Sequence, residues 1–148
     1  MTIKENTASL VEKLKTVLEP RHEIAAAYLY GSTAKGTAGR HSDVDVAILR
    51  DETAPAKDYP FGYKAEILSD LMKTLRTNSV DLVVANHAPP FLRFQIVRHG
   101  RLIFSRSEAL TIEFQVKAIA EYDDIKRLQD IQNRYLSKRL KNGTYGKT

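Results

Sequence analysis

Two aspartates separated by one residue, preceded by a glycine–serine pair, are the residues in this chain best suited to chemistry. Gly31 and Ser32 end one apolar run, and Asp43 and Asp45 open the next. Side chains two apart on a strand point to the same face, and two carboxylates there repel each other unless a cation such as Mg²⁺ lies between them. The glycine–serine turn offers N–H groups and a hydroxyl to phosphate oxygens. This spacing predicts nucleotidyl transfer.

A third carboxylate, Asp81, lies inside the apolar run Val80–Val84. A charge in such a strand is costly unless it is paired or bound to metal. Alone, Asp81 is equally well interpreted as a surface residue at a sheet edge, but beside an Asp-x-Asp pair we interpret it as a third metal ligand. The set then fits a two-metal displacement, in which Asp43 and Asp45 bridge ions about 3.5–4 Å apart and Asp81 completes the shell of the ion that activates the acceptor.

Hydrophobic periodicity and turn residues predict the elements that position these aspartates. The order is α-β-β-α-β-α-β-α, which indicates an α/β domain with a helical C-terminal extension. The predicted elements are a helix ending before Pro20, strands over Ile24–Tyr30 and Val44–Leu49, a helix over Tyr63–Arg76, a strand over Val80–Val84, a helix opened by Pro89-Pro90, an edge strand over Arg101–Phe104, and a last helix reaching about Lys141.

The last helix is predicted to begin with a capping box formed by Ser105 and Glu108. The predicted division is therefore residues 1–105 as the catalytic domain and residues 106–148 as a helix with a frayed tail. Its apolar residues fit packing on the sheet and docking of a partner equally well in the first half. Beyond Tyr122 we expect a partner, because little of the chain remains to cover them.

Composition excludes several classes of protein. The 148 residues suit one domain, and the absence of cysteine excludes disulfides, thiol catalysis and Cys-ligated zinc. No run reaches membrane-spanning length and the N-terminus lacks a signal peptide, so a soluble cytoplasmic protein without a membrane partner is expected. The net charge of +5 favours polyanionic partners, although the basic C-terminal segment also fits a solvated helix face.

With these motifs in place, the chain resembles the DNA polymerase beta-like nucleotidyltransferase superfamily, and within it the minimal nucleotidyltransferase (MNT) antitoxins that accompany HEPN-family toxins. The resemblance covers about Ile24–Phe104, and its most specific part is Leu29–Gly36 followed by Ser42–Asp45. It implies the polymerase beta-like fold, a small mixed sheet flanked by helices. The short length also fits the minimal subclass, because larger relatives add a domain that grips the acceptor.

The resemblance also implies roles for individual residues. Gly31 and Ser32 would hold the triphosphate of ATP, with Lys35 aimed at the phosphates. Two Mg²⁺ ions would be bound by Asp43, Asp45 and Asp81, of which Asp81 would help to deprotonate the attacking hydroxyl. AMP would pass to a tyrosine of the cognate HEPN ribonuclease, in a complex of the two proteins, and no direct binding of nucleic acid is expected.

Other functions remain open from the sequence. One is an antitoxin that acts by binding alone, and another is a nucleotidyltransferase with a small-molecule or RNA acceptor. The segment Arg93–His99 also fits the loose Arg-x₅-His pattern of HEPN nucleases, but HEPN folds are all-helical and the strands predicted here argue against a toxin. The sequence contains no recognisable motif for the nucleotide base. It also does not identify the acceptor tyrosine, the number of AMP units transferred or the stoichiometry of a complex.

Overall fold

The computed structural model describes residues 3–31, 43–55 and 61–142. Its element order confirms the predicted one, with a short 3₁₀ helix added at Ala85–His87. The elements are α1 (Ile3–Leu18), β1 (Ile24–Tyr30), β2 (Val44–Arg50), α2 (Tyr63–Leu75), β3 (Val80–Val84), α3 (Pro90–His99), β4 (Arg101–Ser105) and α4 (Glu108–Lys141).

The four strands form one mixed sheet in the order β3-β2-β1-β4. Strand β1 runs antiparallel to both of its neighbours, whereas β2 and β3 are parallel. Every residue of β1 is buried, as its apolar sequence predicts. The small side chains of Ala25, Ala26 and Ala27 let helices approach closely on both faces of the sheet.

Helices cover both faces of the sheet, and the alternation of side chains along each strand separates two cores. Helices α1 and α2 pack on the face that carries Leu29, Val46 and Leu82. The opposite face carries Tyr28 and Ala47 and packs against Ile96 of α3 and Phe114 of α4. The two cores fix the sheet between two layers of helix.

Helix α4 begins two residues later than the predicted capping box. Strand β4 continues through Ser105, which pairs with Ala26, so Ser105 belongs to the sheet and its hydroxyl lies 2.8 Å from that of Thr111. The N-cap is Ser107, whose side chain accepts a hydrogen bond from the N–H of Leu110. The prediction that Ser105 caps the helix was wrong, because strand β4 extends one residue beyond the apolar residues and includes Ser105.

Helix α4 packs on the rest of the protein only as far as Tyr122. The helix has 34 residues, and the buried ones are Thr111, Phe114 and Ala118. From residue 123 to 138 every described residue is exposed. Of the helices in the described ranges, α4 included, none combines the length and the apolar character that crossing a bilayer requires.

Candidate active site

Three side chains from adjacent strands form a row across the sheet. Asp45 of β2 is the register partner of Tyr30 in β1 and of Asp81 in β3. Side chains of directly paired residues lie on the same face with Cβ atoms about 4.5–5.5 Å apart. The crossover through α2 therefore brings Asp81 beside Asp45, as the sequence predicted.

The row lies on the face that α3 and α4 cover. Tyr30 is buried in the core of that face, Asp45 is half-buried, and Asp81 is exposed. Asp43 immediately precedes β2 and is exposed. The N–H of Val44 donates to the carbonyl of Ser79 at 2.8 Å, which fixes the segment that carries Asp43 against the start of β3.

Gly31 makes room for the carboxylate of Asp45. Its φ of +74° lies in the left-handed region, and a Cβ at this position would be 2.3 Å from Oδ2 of Asp45. A side chain would therefore require both a strained backbone and displacement of the carboxylate. Glycine is the residue that lets the end of β1 turn directly against Asp45.

The electrostatics of the row disfavour ionisation. Burial raises the pKa of Asp45, and the negative charges of Asp81 and Asp43 raise it further. Burial also raises the pKa of the Tyr30 phenol to about 12, with added contributions from Asp45 and Asp81. An ion pair with a cation would relieve the repulsion among the carboxylates.

The donor set fits a hard divalent cation. Asp43, Asp45 and Asp81 supply carboxylate oxygens, the ligands that Mg²⁺ prefers. Among the described residues, no group of three or more His, Cys, Asp or Glu side chains is arranged to hold a metal ion without further ligands. Mg²⁺ is usually held by one or two carboxylates together with substrate phosphates, so the row suits a site that a nucleotide completes.

The structure brings four of the predicted site residues to one end of the sheet: Gly31, Asp43, Asp45 and Asp81. Ser32 and Lys35 lie outside the described residues. Tyr30, which the sequence predicted only as the last residue of a strand, also borders the carboxylates. The signal was available, because Tyr30 directly precedes Gly31 at the end of the central strand.

The Arg-x₅-His segment does not form a site in the structure. Arg93 donates to Glu121 of α4 at 2.6 Å, whereas His99 is exposed at the last turn of α3. Six residues on a helix correspond to a rotation of about 240°, so the two side chains lie on different sides of α3. Arg93 therefore joins α3 to α4.

Comparison with known proteins shows which family and which relatives the chain is similar to. The family model for polymerase beta nucleotidyltransferases matches residues 12–109. The protein adenylyltransferase MntA of Shewanella oneidensis is 30% identical over 99 residues, which span 67% of this chain and 66% of that protein.

The fold is also similar to that of solved toxin–antitoxin structures. A crystal structure of a toxin–antitoxin with AMP-PNP aligns with a TM-score of 0.67 and 26% identity, covering 85% of this chain and 98% of that one. The structure of a tri-AMPylated Shewanella oneidensis HEPN toxin in complex with MNT antitoxin aligns with a TM-score of 0.63 and 23% identity, covering 88% and 98%. At 23% identity, the similarity to this second structure shows only that the two proteins share a fold.

Proposed function

Because this chain belongs to the polymerase beta nucleotidyltransferase family, we propose that it transfers AMP from ATP to a tyrosine of a HEPN toxin and so neutralises it. The observation that carries the proposal is the register of Asp45 with Asp81, with Gly31 packed against the Asp45 carboxylate. The Shewanella relative is named a protein adenylyltransferase, and the HEPN toxin in the similar complex is AMPylated. We assign the same acceptor class here.

In the proposed reaction the tyrosine oxygen of the toxin attacks the α-phosphorus of ATP. The bond from that phosphorus to the bridging oxygen of the β-phosphate breaks, and pyrophosphate leaves. Asp81, the most accessible member of the row, accepts the proton of the tyrosine hydroxyl. Gly31 and Ser32 hold the triphosphate through backbone N–H groups and the serine hydroxyl, and Lys35 neutralises phosphate charge.

Asp43 and Asp45 would hold Mg²⁺ together with phosphate oxygens, and two ions would fit the proposed displacement. When bound, the metal would neutralise charge on the triphosphate and orient the α-phosphorus. The raised pKa of Asp45 is consistent with this role, because a carboxylate that is destabilised when ionised gains more from a cation. Since ATP is a cytoplasmic metabolite, the proposal also places the protein in the cytoplasm.

The proposal is tested by neutralisation of the toxin. The cognate HEPN toxin that the proposal requires is purified, incubated with the chain, Mg²⁺ and ATP, separated from it under denaturing conditions and refolded. Its ribonuclease activity is then measured. We expect lasting inhibition with the wild-type chain and full activity after incubation with Asp43→Asn/Asp45→Asn.

The same assay without the separation step distinguishes inhibition by binding from inhibition by AMP transfer. If the double variant inhibits as well as the wild type while the proteins are together, and the separated toxin is fully active in both cases, neutralisation is occlusion and the proposed transfer is wrong. Lasting inhibition that does not require Asp43 and Asp45 would also contradict the proposal.

A further inference from the structure

The exposed part of α4 carries a continuous set of large apolar side chains, which we call the apolar stripe. Leu128 and Tyr135 are 60% and 61% exposed, and the guanidinium of Arg139 lies over the Tyr135 ring at 5.6 Å from its centroid. The members of the stripe are Ile125, Leu128, Ile131, Tyr135, Leu136 and Leu140. Isolated apolar residues on a surface are ordinary, but a contiguous set of this size marks an interaction site.

The stripe continues the side of α4 that is buried in the first third of the helix. With 3.6 residues per turn, Ile125 and Leu136 project on the same side as Phe114 and Ala118, and Leu128 and Tyr135 lie next to them. Arg134 and Ser137 lie on the opposite side. The sequence therefore keeps α4 amphipathic after the helix has left the sheet.

The stripe lies away from the candidate active site. Phe114 and Lys117 of α4 line a cavity with Leu49 and Arg50 at the end of β2, whereas Asp45 is near the start of that strand. Further along, Tyr122 stacks on Phe94 in the first half of α3, with ring centroids 3.8 Å apart. Helix α4 thus passes the end of β2 opposite to Asp45 before it projects from the protein.

We propose that the apolar stripe is the docking surface for the protein acceptor, and that it takes an apolar helical face of that acceptor bordered by acidic side chains. This inference rests on the proposed function for the identity of the partner. In proteins most helical stability comes from tertiary packing of an amphipathic face, so a partner packed on the stripe would stabilise residues 123–142. Recognition of an amphipathic helix through apolar side chains three and four residues apart is common in protein complexes.

Charge selects the kind of partner. Residues 123–142 contain six Lys and Arg against three Asp, a net charge of +3. A second copy of the chain on the stripe would bring an equal positive charge within a Debye length, about 8 Å at physiological salt. An acidic border on the partner is attracted instead and raises the rate of association.

The test compares two double variants with the same change in charge. Leu128→Glu/Tyr135→Glu places two carboxylates on the stripe, and Arg134→Gln/Ser137→Glu makes the same change in net charge on the opposite side of the same helix segment. Binding of the cognate HEPN protein to each variant is measured by calorimetry without ATP. The rate of AMP transfer is then measured as a function of the concentration of the HEPN protein. Circular dichroism of each variant verifies the fold.

We expect the stripe variant to raise Kd and KM by about 30-fold or more, with transfer at saturating acceptor unchanged. The opposite-face variant should change Kd less than about threefold. Equal effects of the two variants, or none, would overturn the inference. So would sedimentation showing that the stripe joins two copies of this chain.

The two proposals fail in different ways. If the wild-type chain transfers AMP and the stripe variant binds and transfers equally well, the docking inference is wrong and the proposed function stands. If the stripe variant loses binding but even the wild-type chain transfers no AMP, the docking surface stands and the transferase function is wrong.

Discussion

At the scale of single residues, the site depends on a close approach that only glycine permits. Gly31 combines a φ of +74° with a Cβ position 2.3 Å from Oδ2 of Asp45. The motif predicted a phosphate-binding turn at this glycine. Its second role, leaving space for a carboxylate on the neighbouring strand, depends on the β1–β2 register and was not readable from the motif.

We expect Gly31→Ala to reduce AMP transfer by about 100-fold or more, because the new methyl group displaces the Asp45 carboxylate. It should also lower the free energy of unfolding by about 1–2 kcal/mol, since alanine is strained at this φ. The matched control is Gly62→Ala, where φ is +93° but nothing lies within 4 Å of the added Cβ. That variant should lose stability and keep activity, and equal loss of activity in both would contradict the role of Gly31.

The raised pKa of Asp45 yields a prediction about stability. Because the pKa is higher in the folded chain than in the unfolded chain, the ionised carboxylate destabilises the fold at pH values above the raised pKa. That destabilisation is relieved as pH falls through the raised pKa and is absent below the ordinary value of 3.8.

We therefore expect Asp45→Asn to raise Tm at pH 8 in EDTA while reducing AMP transfer by about 100-fold or more. The gain in Tm should not exceed about 2–4 °C, because solvent screens a half-exposed carboxylate. It should shrink at low pH and on addition of Mg²⁺ to the wild type. Thermal unfolding with and without Mg²⁺ measures this, and a lower Tm for the variant in EDTA at pH 8 would contradict the repulsion inferred among the aspartates.

At the scale of elements, sequence periodicity was sufficient to predict the order and the fold, and both are confirmed. Apolar runs identified β1, β2 and β3, and helical spacing identified α1 and α2. The start of α4 was misplaced because Ser105 and Ser107 both have cap chemistry. Only the pairing of Ser105 with Ala26 decides between them, and that is a tertiary contact.

The position of the cap is testable. Ser107 accepts from the N–H of Leu110, so Ser107→Ala should lower the free energy of unfolding by about 1 kcal/mol. Ser107→Asp should retain most of that stability, because aspartate also caps helices. Urea denaturation of both variants makes the comparison, and equal losses for alanine and aspartate would show that the side chain does not act as a cap.

At the scale of the whole molecule, a small catalytic sheet is joined to a helix far longer than the sheet requires. The first third of α4 completes a core, with Phe114 against Tyr28 at 6.1 Å between ring centroids. The remainder extends exposed apolar and basic side chains away from the row of carboxylates. The prediction that the part beyond Tyr122 contacts a partner stays a prediction, but its exposure removes the alternative that it packs on the sheet of its own chain.

The central claim is that the site formed by Asp43, Asp45 and Asp81 transfers AMP to a partner protein, and intact mass tests it most directly. The chain is incubated with Mg²⁺, ATP and the cognate HEPN protein, and the intact mass of each protein is measured by mass spectrometry. We expect the HEPN protein to gain the mass of one or more AMP groups with the wild-type chain and none with Asp43→Asn/Asp45→Asn. A HEPN protein of unchanged mass after incubation with the wild-type chain would contradict the account.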